Sequence, residues 1–206
     1  MRIAVTKDAL SLGSQGLLKA ASFLLQPSRE DTTPQICGLG PVALNKRAIL
    51  TGHMNTQVRI ETVSQRKLAA AHRQVRIGQV ATVWRQALDQ VWEFLRQNPG
   101  LRTDGHNIFL YHHPENREFL MDVDFGVEVT RSFPSSGEVA LVETPAGKVA
   151  SALHVGSYDE LKRTHDAIHA WAAANQLSFG GKSWEIYGDW TEDLSKLETR
   201  IEYLLS

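Results

Sequence analysis

The stretch of sequence that decides the fold runs from residue 139 to residue 175 and reads VALVETPAGKVASALHVGSYDELKRTHDAIHAWAAAN. Its apolar runs at 139–144 and 148–154 predict two strands. From about Asp159 to Asn175 the apolar residues recur at three- and four-residue spacing, which predicts an amphipathic helix. Two more strands are predicted at 184–187 and 199–205, so this half of the chain has the order β, β, α, β, β.

The first half of the chain repeats the same order. Strands are predicted at 58–63, 67–72, 108–111 and 121–129, with an amphipathic helix between the second and third. The dipeptide Leu110-Tyr111 echoes Ile186-Tyr187. Two β-α-β-β repeats, at about 57–130 and 138–206, predict an α+β fold in which an antiparallel sheet carries both helices on one face. The opposite face is left concave, and we expect the ligand cleft there.

The composition excludes several classes of protein. The chain has 206 residues, a net charge of −1 at pH 7 and a single cysteine, Cys37, so it has neither an intramolecular disulfide nor a multi-cysteine zinc site. No apolar run approaches the roughly 20 residues of a membrane-spanning helix. The near-neutral charge argues against direct nucleic-acid binding, which needs a clustered basic face. We therefore expect a cytoplasmic protein that binds neither membrane nor nucleic acid.

Residues 1–53 differ in character from the rest of the chain. Their one apolar stretch, 17–25, is interrupted by Lys19 and followed by a polar run from Pro27 to Pro34. This pattern predicts a flexible extension or a mis-assigned start, with Met54 as the alternative first residue. We expect residues 54–206 to form the domain. In a rival interpretation, residues 17–25 dock on the sheet as a helix or cover the cleft as a lid.

Several motifs of the second half resemble a known family. They are ETPAGK at 143–148, HVGSYDEL at 154–161, SWEIY at 183–187 and TRIE at 199–202. Their order and spacing resemble the GyrI-like small-molecule-binding domain, the effector-binding domain of AraC- and MerR-type bacterial transcription activators, over about residues 55–206. The resemblance implies two pseudo-symmetric repeats around a ligand cleft, in a stand-alone member of the family. It also implies that Glu185, from the Glu-Ile-Tyr strand, lies in that cleft.

The candidate ligand-binding residues follow from strand alternation and from the resemblance. Glu185 and Tyr187 share one face of their strand, as do Phe109 and Tyr111 in the first repeat. A carboxylate among aromatic rings attracts a cation by charge and by cation–π contact. Tyr158, from the Gly-x-Tyr turn before the helix, completes the set. We expect burial to raise the pKa of Glu185; the structural alternative is an exposed acid on an edge strand.

The first hypothesis for function is a module that binds a small organic ligand, aromatic or cationic, between the repeats. The second is a hydrolase in which Glu185 activates a water that Tyr187 or Tyr111 orients. A protein-binding modulator, such as a DNA gyrase inhibitor, is a third function that the resemblance implies, and a homodimer stays open.

No metal and no other cofactor is expected. His165 and His169 lie four apart on a helix, but no zinc-protease motif surrounds them, so packing or surface roles are favoured.

Overall fold

A computed structural model of the chain describes residues 56–76, 78–114 and 120–206. The predicted extension, residues 1–53, lies outside them. The described part contains eight strands and two α-helices: β1 (Arg59–Val63), β2 (Lys67–Arg76), α1 (Val80–Gln97), β3 (Arg102–His112), β4 (Leu120–Val129), β5 (Val139–Glu143), β6 (Gly147–Val155), α2 (Leu161–Ala174), β7 (Phe179–Tyr187) and β8 (Glu198–Leu205). Among the described residues, no helix is both long and apolar enough to cross a membrane.

The eight strands form one sheet in the order β1-β6-β8-β7-β3-β4-β2-β5, and all of its pairs are antiparallel. Exchanging the two repeats leaves this order unchanged, so the sheet has a pseudo-twofold axis between β3 and β7. The first strand of each repeat pairs with the other repeat: β1 with β6, and β5 with β2. The predicted α+β fold of two repeats in an antiparallel sheet is confirmed.

Both helices lie on the same face of the sheet because each has one apolar stripe to bury. The stripe of α1 consists of seven buried residues: Val80, Ala81, Trp84, Ala87, Leu88, Val91 and Leu95. It packs on β2, β4 and β5, whereas α2 packs on β6. The helices therefore flank the central strands β3 and β7, which form the floor of the space between them.

The opposite face of the sheet is also filled by apolar side chains. Leu68, Ile108, Leu110 and Trp184 are at most 1% exposed there. Side chains from the two edge strands β1 and β5 pack against the same cluster, so the sheet curls around this face. The face on which the cleft was expected is therefore occupied by an apolar core, whereas the candidate site residues point to the face that carries the helices.

The turn that precedes α2 owes its shape to a glycine. Gly156 has a φ of 139°, a conformation that disfavours residues with a Cβ. A short 3-10 turn follows at Tyr158–Glu160, and the Ser157 hydroxyl accepts a hydrogen bond from the Asp159 amide. The α-helix then begins at Leu161, two residues later than the sequence pattern predicts. The turn carries Tyr158 to the sheet, where it is 5% exposed.

Candidate functional site

Glu185 lies on the pseudo-twofold axis. The segments NIFLY at 107–111 and SWEIY at 183–187 occupy equivalent places in β3 and β7, and the two strands pair so that Phe109 is directly opposite Glu185. The duplication therefore brings two equivalent positions face to face, one apolar and one acidic. By the same symmetry Tyr111 and Tyr187 are counterparts, one on each side of the carboxylate.

The Glu185 carboxylate is enclosed and accepts three hydrogen bonds. The side chain is 1% exposed. The Tyr111 hydroxyl donates to Oε2 over 2.8 Å, and the Tyr187 hydroxyl donates to the same oxygen. His165 Nε2, from α2, lies 2.9 Å from Oε1 and donates to it, because a carboxylate has only acceptors to offer. The two counterpart tyrosines thus hold one oxygen, and a single residue from a helix holds the other.

This arrangement keeps Glu185 in its ionised form. Burial raises its pKa, but the hydrogen bond and charge of His165, together with the two tyrosine hydroxyls, outweigh burial and lower the pKa below its ordinary value. The expected raised pKa is therefore wrong, because the sequence pattern did not reveal the histidine. Burial and the neighbouring carboxylate raise the pKa of both Tyr111 and Tyr187, so these groups remain protonated donors.

Aromatic rings surround the carboxylate at the end of the site near Tyr187. The Tyr187 ring lies 4.8 Å from Phe109 and 5.5 Å from Tyr158 between centroids. Trp84, from α1, lies 6.4 Å from Phe109. All four rings are at most 6% exposed. The structure thus brings together the five candidate residues predicted from the sequence and adds Trp84 as a wall on the side of the first helix.

The other end of the site is made of histidines around Tyr203. His165 Nδ1 is 2.8 Å from the Tyr203 hydroxyl, which links this ring to Glu185. His113 stacks on Tyr203 at 5.9 Å and 10°, and His169 meets the same ring edge-on at 4.9 Å. Sequence reasoning favoured a packing or surface role for His165 and missed its hydrogen bond to Glu185. The available signal was its place among Leu161 and Ile168 on the apolar stripe of α2, where a polar residue needs a buried partner.

A cavity of about 600 Å³ lies beside the site, between α2 and the free end of β6. His154 and Thr164 line it, and their side chains are joined by a contact of 3.0 Å between Nδ1 and Oγ1. Thr164 immediately precedes His165 in α2. The cavity therefore borders the segment that covers Glu185, although Glu185 itself does not line it.

The described residues contain no group of three or more histidine, cysteine or acidic side chains arranged to hold a metal ion. His165 and His169 both pack against Tyr203. The pair that a metal would have shared is thus engaged with an aromatic ring and, through His165, with Glu185.

An antiparallel α+β sheet, duplicated around a buried carboxylate, defines the class of this domain, and comparison with known proteins gives the family. Residues 56–205 match the family model of the GyrI-like small-molecule-binding domain, and the chain belongs to that family. No curated protein matches the sequence.

Solved structures share the fold. The EcmrR C-terminal domain has a TM-score of 0.63 at 21% identity, with 74% of this chain and 99% of that one covered. The EcmrR–DNA complex gives a TM-score of 0.64 at 20% identity over 76% of this chain, which spans 59% of that longer protein. The structure of SAV2435 bound to tetraphenylphosphonium has a TM-score of 0.52 at 12% identity, with 73% of this chain and 94% of that one covered.

Proposed function

We propose that this domain binds a small aromatic organic cation in the space between α1 and α2, with Glu185 as the anionic receptor. One observation carries the proposal: an ionised carboxylate, 1% exposed, is enclosed by aromatic rings and neutral hydroxyl donors. A buried anion is costly unless a positive or hydrogen-bonding partner satisfies it. In the structure His165 is that partner on Oε1.

A cationic ligand would take over the place of His165. The ligand's charge would replace the imidazole N–H at Oε1, while the rings of Phe109, Tyr187 and Tyr158 would add cation–π and stacking contacts. Such contacts contribute about 0.5–2 kcal/mol each, with the larger values in dry sites. Because Glu185 is enclosed, entry requires displacement of the His165 side chain and of the turn of α2 that carries it. The neighbouring cavity at His154 and Thr164 gives that turn room to move.

The family and a fold neighbour support this proposal. The family is one of small-molecule-binding domains, and SAV2435, with the same fold, is bound to tetraphenylphosphonium, an aromatic cation. The same fold forms the C-terminal domain of EcmrR, which also exists in a DNA complex. By analogy we propose that the present domain senses or sequesters its ligand.

The geometry favours binding over hydrolysis. A general base needs a pKa near the working pH, so that it is both ionised and basic. At Glu185 the hydrogen bond and the charge of His165, together with the two tyrosine hydroxyls, outweigh burial and lower the pKa. A carboxylate in that state attracts a cation well but takes a proton from water poorly.

The direct test is calorimetric titration with tetraphenylphosphonium and with rhodamine 6G. Glu185→Gln keeps the shape of the side chain and removes its charge, so the Kd should rise about tenfold or more, equivalent to at least about 1.4 kcal/mol. Glu202→Gln is the matched control: Glu202 is 2% exposed but pairs with Trp184 on the opposite face of the sheet. Equal affinity of Glu185→Gln and the parent chain would overturn the proposal.

A further inference from the structure

Three buried polar atoms of the site have no hydrogen-bond partner among the residues that the structure describes. They are Asn107 Oδ1, Thr199 Oγ1 and Trp84 Nε1. Thr199 is completely buried and Trp84 is 6% exposed. Leaving such an atom unsatisfied is costly, and buried polar groups in native proteins are satisfied in the great majority of cases. A cluster of three therefore calls for a physical explanation.

The sheet register brings these atoms to one end of the site. Asn107 in β3 and Thr199 in β8 are the direct neighbours of Tyr187 on its two sides. Both strand side chains point to the face that carries the helices, because Asn107 shares its strand face with Phe109 and Thr199 shares its face with Tyr203. Trp84 reaches the same end from α1 through its contact with Phe109. Two acceptor oxygens thus lie on the strand neighbours of Tyr187, and the N–H donor belongs to a ring that lies 6.4 Å from Phe109.

The symmetry-related end of the site shows that the fold itself does not require unsatisfied groups. Ser183 is the counterpart of Asn107, and its hydroxyl is paired with His113 Nε2 at 2.7 Å. The Ser183 end is closed by protein groups, whereas the Asn107 end is left with hydrogen-bonding capacity. The two ends of one duplicated site have diverged.

We propose that the ligand of this domain has two poles: a cationic centre at Glu185 and a neutral hydroxyl or amide at the Asn107 end. This inference rests on the proposed function and specifies the ligand class. A hydroxyl in that position would donate to Asn107 Oδ1 or Thr199 Oγ1 and accept from Trp84 Nε1. Residues 185 and 187 are two steps apart on one strand, so the two poles should lie about 7 Å apart.

The test uses three phosphonium cations of one shape. Tetraphenylphosphonium has no hydrogen-bonding group; (4-hydroxyphenyl)triphenylphosphonium places a hydroxyl one ring away from the charge, and (4-methylphenyl)triphenylphosphonium places a methyl group of similar size there. A single satisfied hydrogen bond corresponds to a preference of about three- to tenfold. We expect the hydroxyl compound to bind that much more tightly than the methyl compound, by calorimetry on the full chain.

Two isosteric variants locate the preference. Asn107→Leu and Thr199→Val remove the acceptors at nearly constant volume, and each should reduce the hydroxyl-over-methyl ratio toward one. The Kd of tetraphenylphosphonium should stay within about twofold. Circular dichroism and a melting curve establish that each variant is folded. If Thr199→Val does not fold, Thr199→Ser replaces it. Because serine keeps the hydroxyl, this variant must keep the hydroxyl-over-methyl affinity ratio of the parent.

The outcomes separate this inference from the proposed function. If none of the three cations binds, or if Glu185→Gln binds them as the parent does, the proposed function fails. If all three bind through Glu185 but the hydroxyl and methyl compounds bind equally, the two-pole ligand is refuted and ordered water satisfies the three atoms instead. A ratio that persists in both Asn107→Leu and Thr199→Val also refutes the assigned position.

Discussion

His113 should make the domain less stable in mild acid. The residue follows β3, where its Nε2 pairs with the Ser183 hydroxyl and its ring stacks on Tyr203. Burial, and then the charges of His169, His165 and His112, lower the pKa of His113 from 6.5 to about 4. The folded state thus holds this imidazole neutral in a pH range where the unfolded chain protonates it.

The sign and size of the effect follow from linkage. Above pH 6.5 neither state binds the proton, so His113 has no effect on the pH dependence; as the pH falls toward 4, only the unfolded chain takes it up, and the free energy of unfolding decreases. At about pH 5 the pH lies roughly 1.5 units below the pKa of His113 in the unfolded chain, so uptake of the proton lowers the free energy of unfolding by about 2 kcal/mol. The partial exposure of the ring reduces this to about 1–2 kcal/mol.

The assay is urea denaturation at about pH 7.5 and about pH 5, followed by tryptophan fluorescence, for the parent and for His113→Gln. Glutamine can still bond to Ser183 but cannot titrate, so the variant should lose about 1–2 kcal/mol less than the parent between the two pH values. Ser183→Ala is the control: it removes the hydrogen bond and leaves the imidazole, so its pH dependence should match that of the parent. An identical pH dependence in the parent and in His113→Gln would refute the reasoning.

Two further predictions concern the tyrosines that contact Glu185 and the role of residues 1–53. Tyr111→Phe removes one of the three donors to the buried Glu185 carboxylate, so the free energy of unfolding in urea should fall by about 1.5–3 kcal/mol. Tyr187→Phe, its symmetry counterpart, should have the same effect. A loss below about 0.5 kcal/mol in both variants would contradict the hydrogen-bond assignment. A chain that begins at Met54 should melt cooperatively and bind the same cations as the full chain. A melting temperature more than roughly 5 °C lower, about 1.5–2.5 kcal/mol for a domain of this size, would show that residues 1–53 pack on the domain formed by residues 54–206.

Local patterns in the sequence were enough to predict the order of the elements and the duplication. The apolar stripe of α1 is a property of one segment, and so is the alternation that separates Glu185 and Tyr187 from Trp184 and Ile186. Local patterns could not predict which face of β7 the helices cover, because apolar residues occupy both faces of this strand. Only the curl of the sheet, which depends on all eight strands, decides that Trp184 fills the face without helices.

His165 was missed for a related reason. The sequence pattern alone predicts a core residue for a histidine on an apolar helical stripe, because its partner belongs to a strand 20 residues further along the chain. The unpartnered Asn107 and Thr199 are harder still to find from sequence. Their meaning depends on the register that sets one on each side of Tyr187, and on the absence of a partner within the described part of the chain.

The duplication itself explains why the centre of the sheet holds a single buried carboxylate on its helix face. An axis between two equivalent strands forces one pair of equivalent residues to face each other, here Phe109 and Glu185. Two glutamates at that pair would repel and raise the pKa of one of them, so that one charge would be lost; two phenylalanines would form a plain core. One of each gives a single carboxylate with an aromatic wall directly opposite. The counterpart tyrosines, Tyr111 and Tyr187, then converge on one oxygen from both sides, and the second oxygen is bound by His165 from the helix α2.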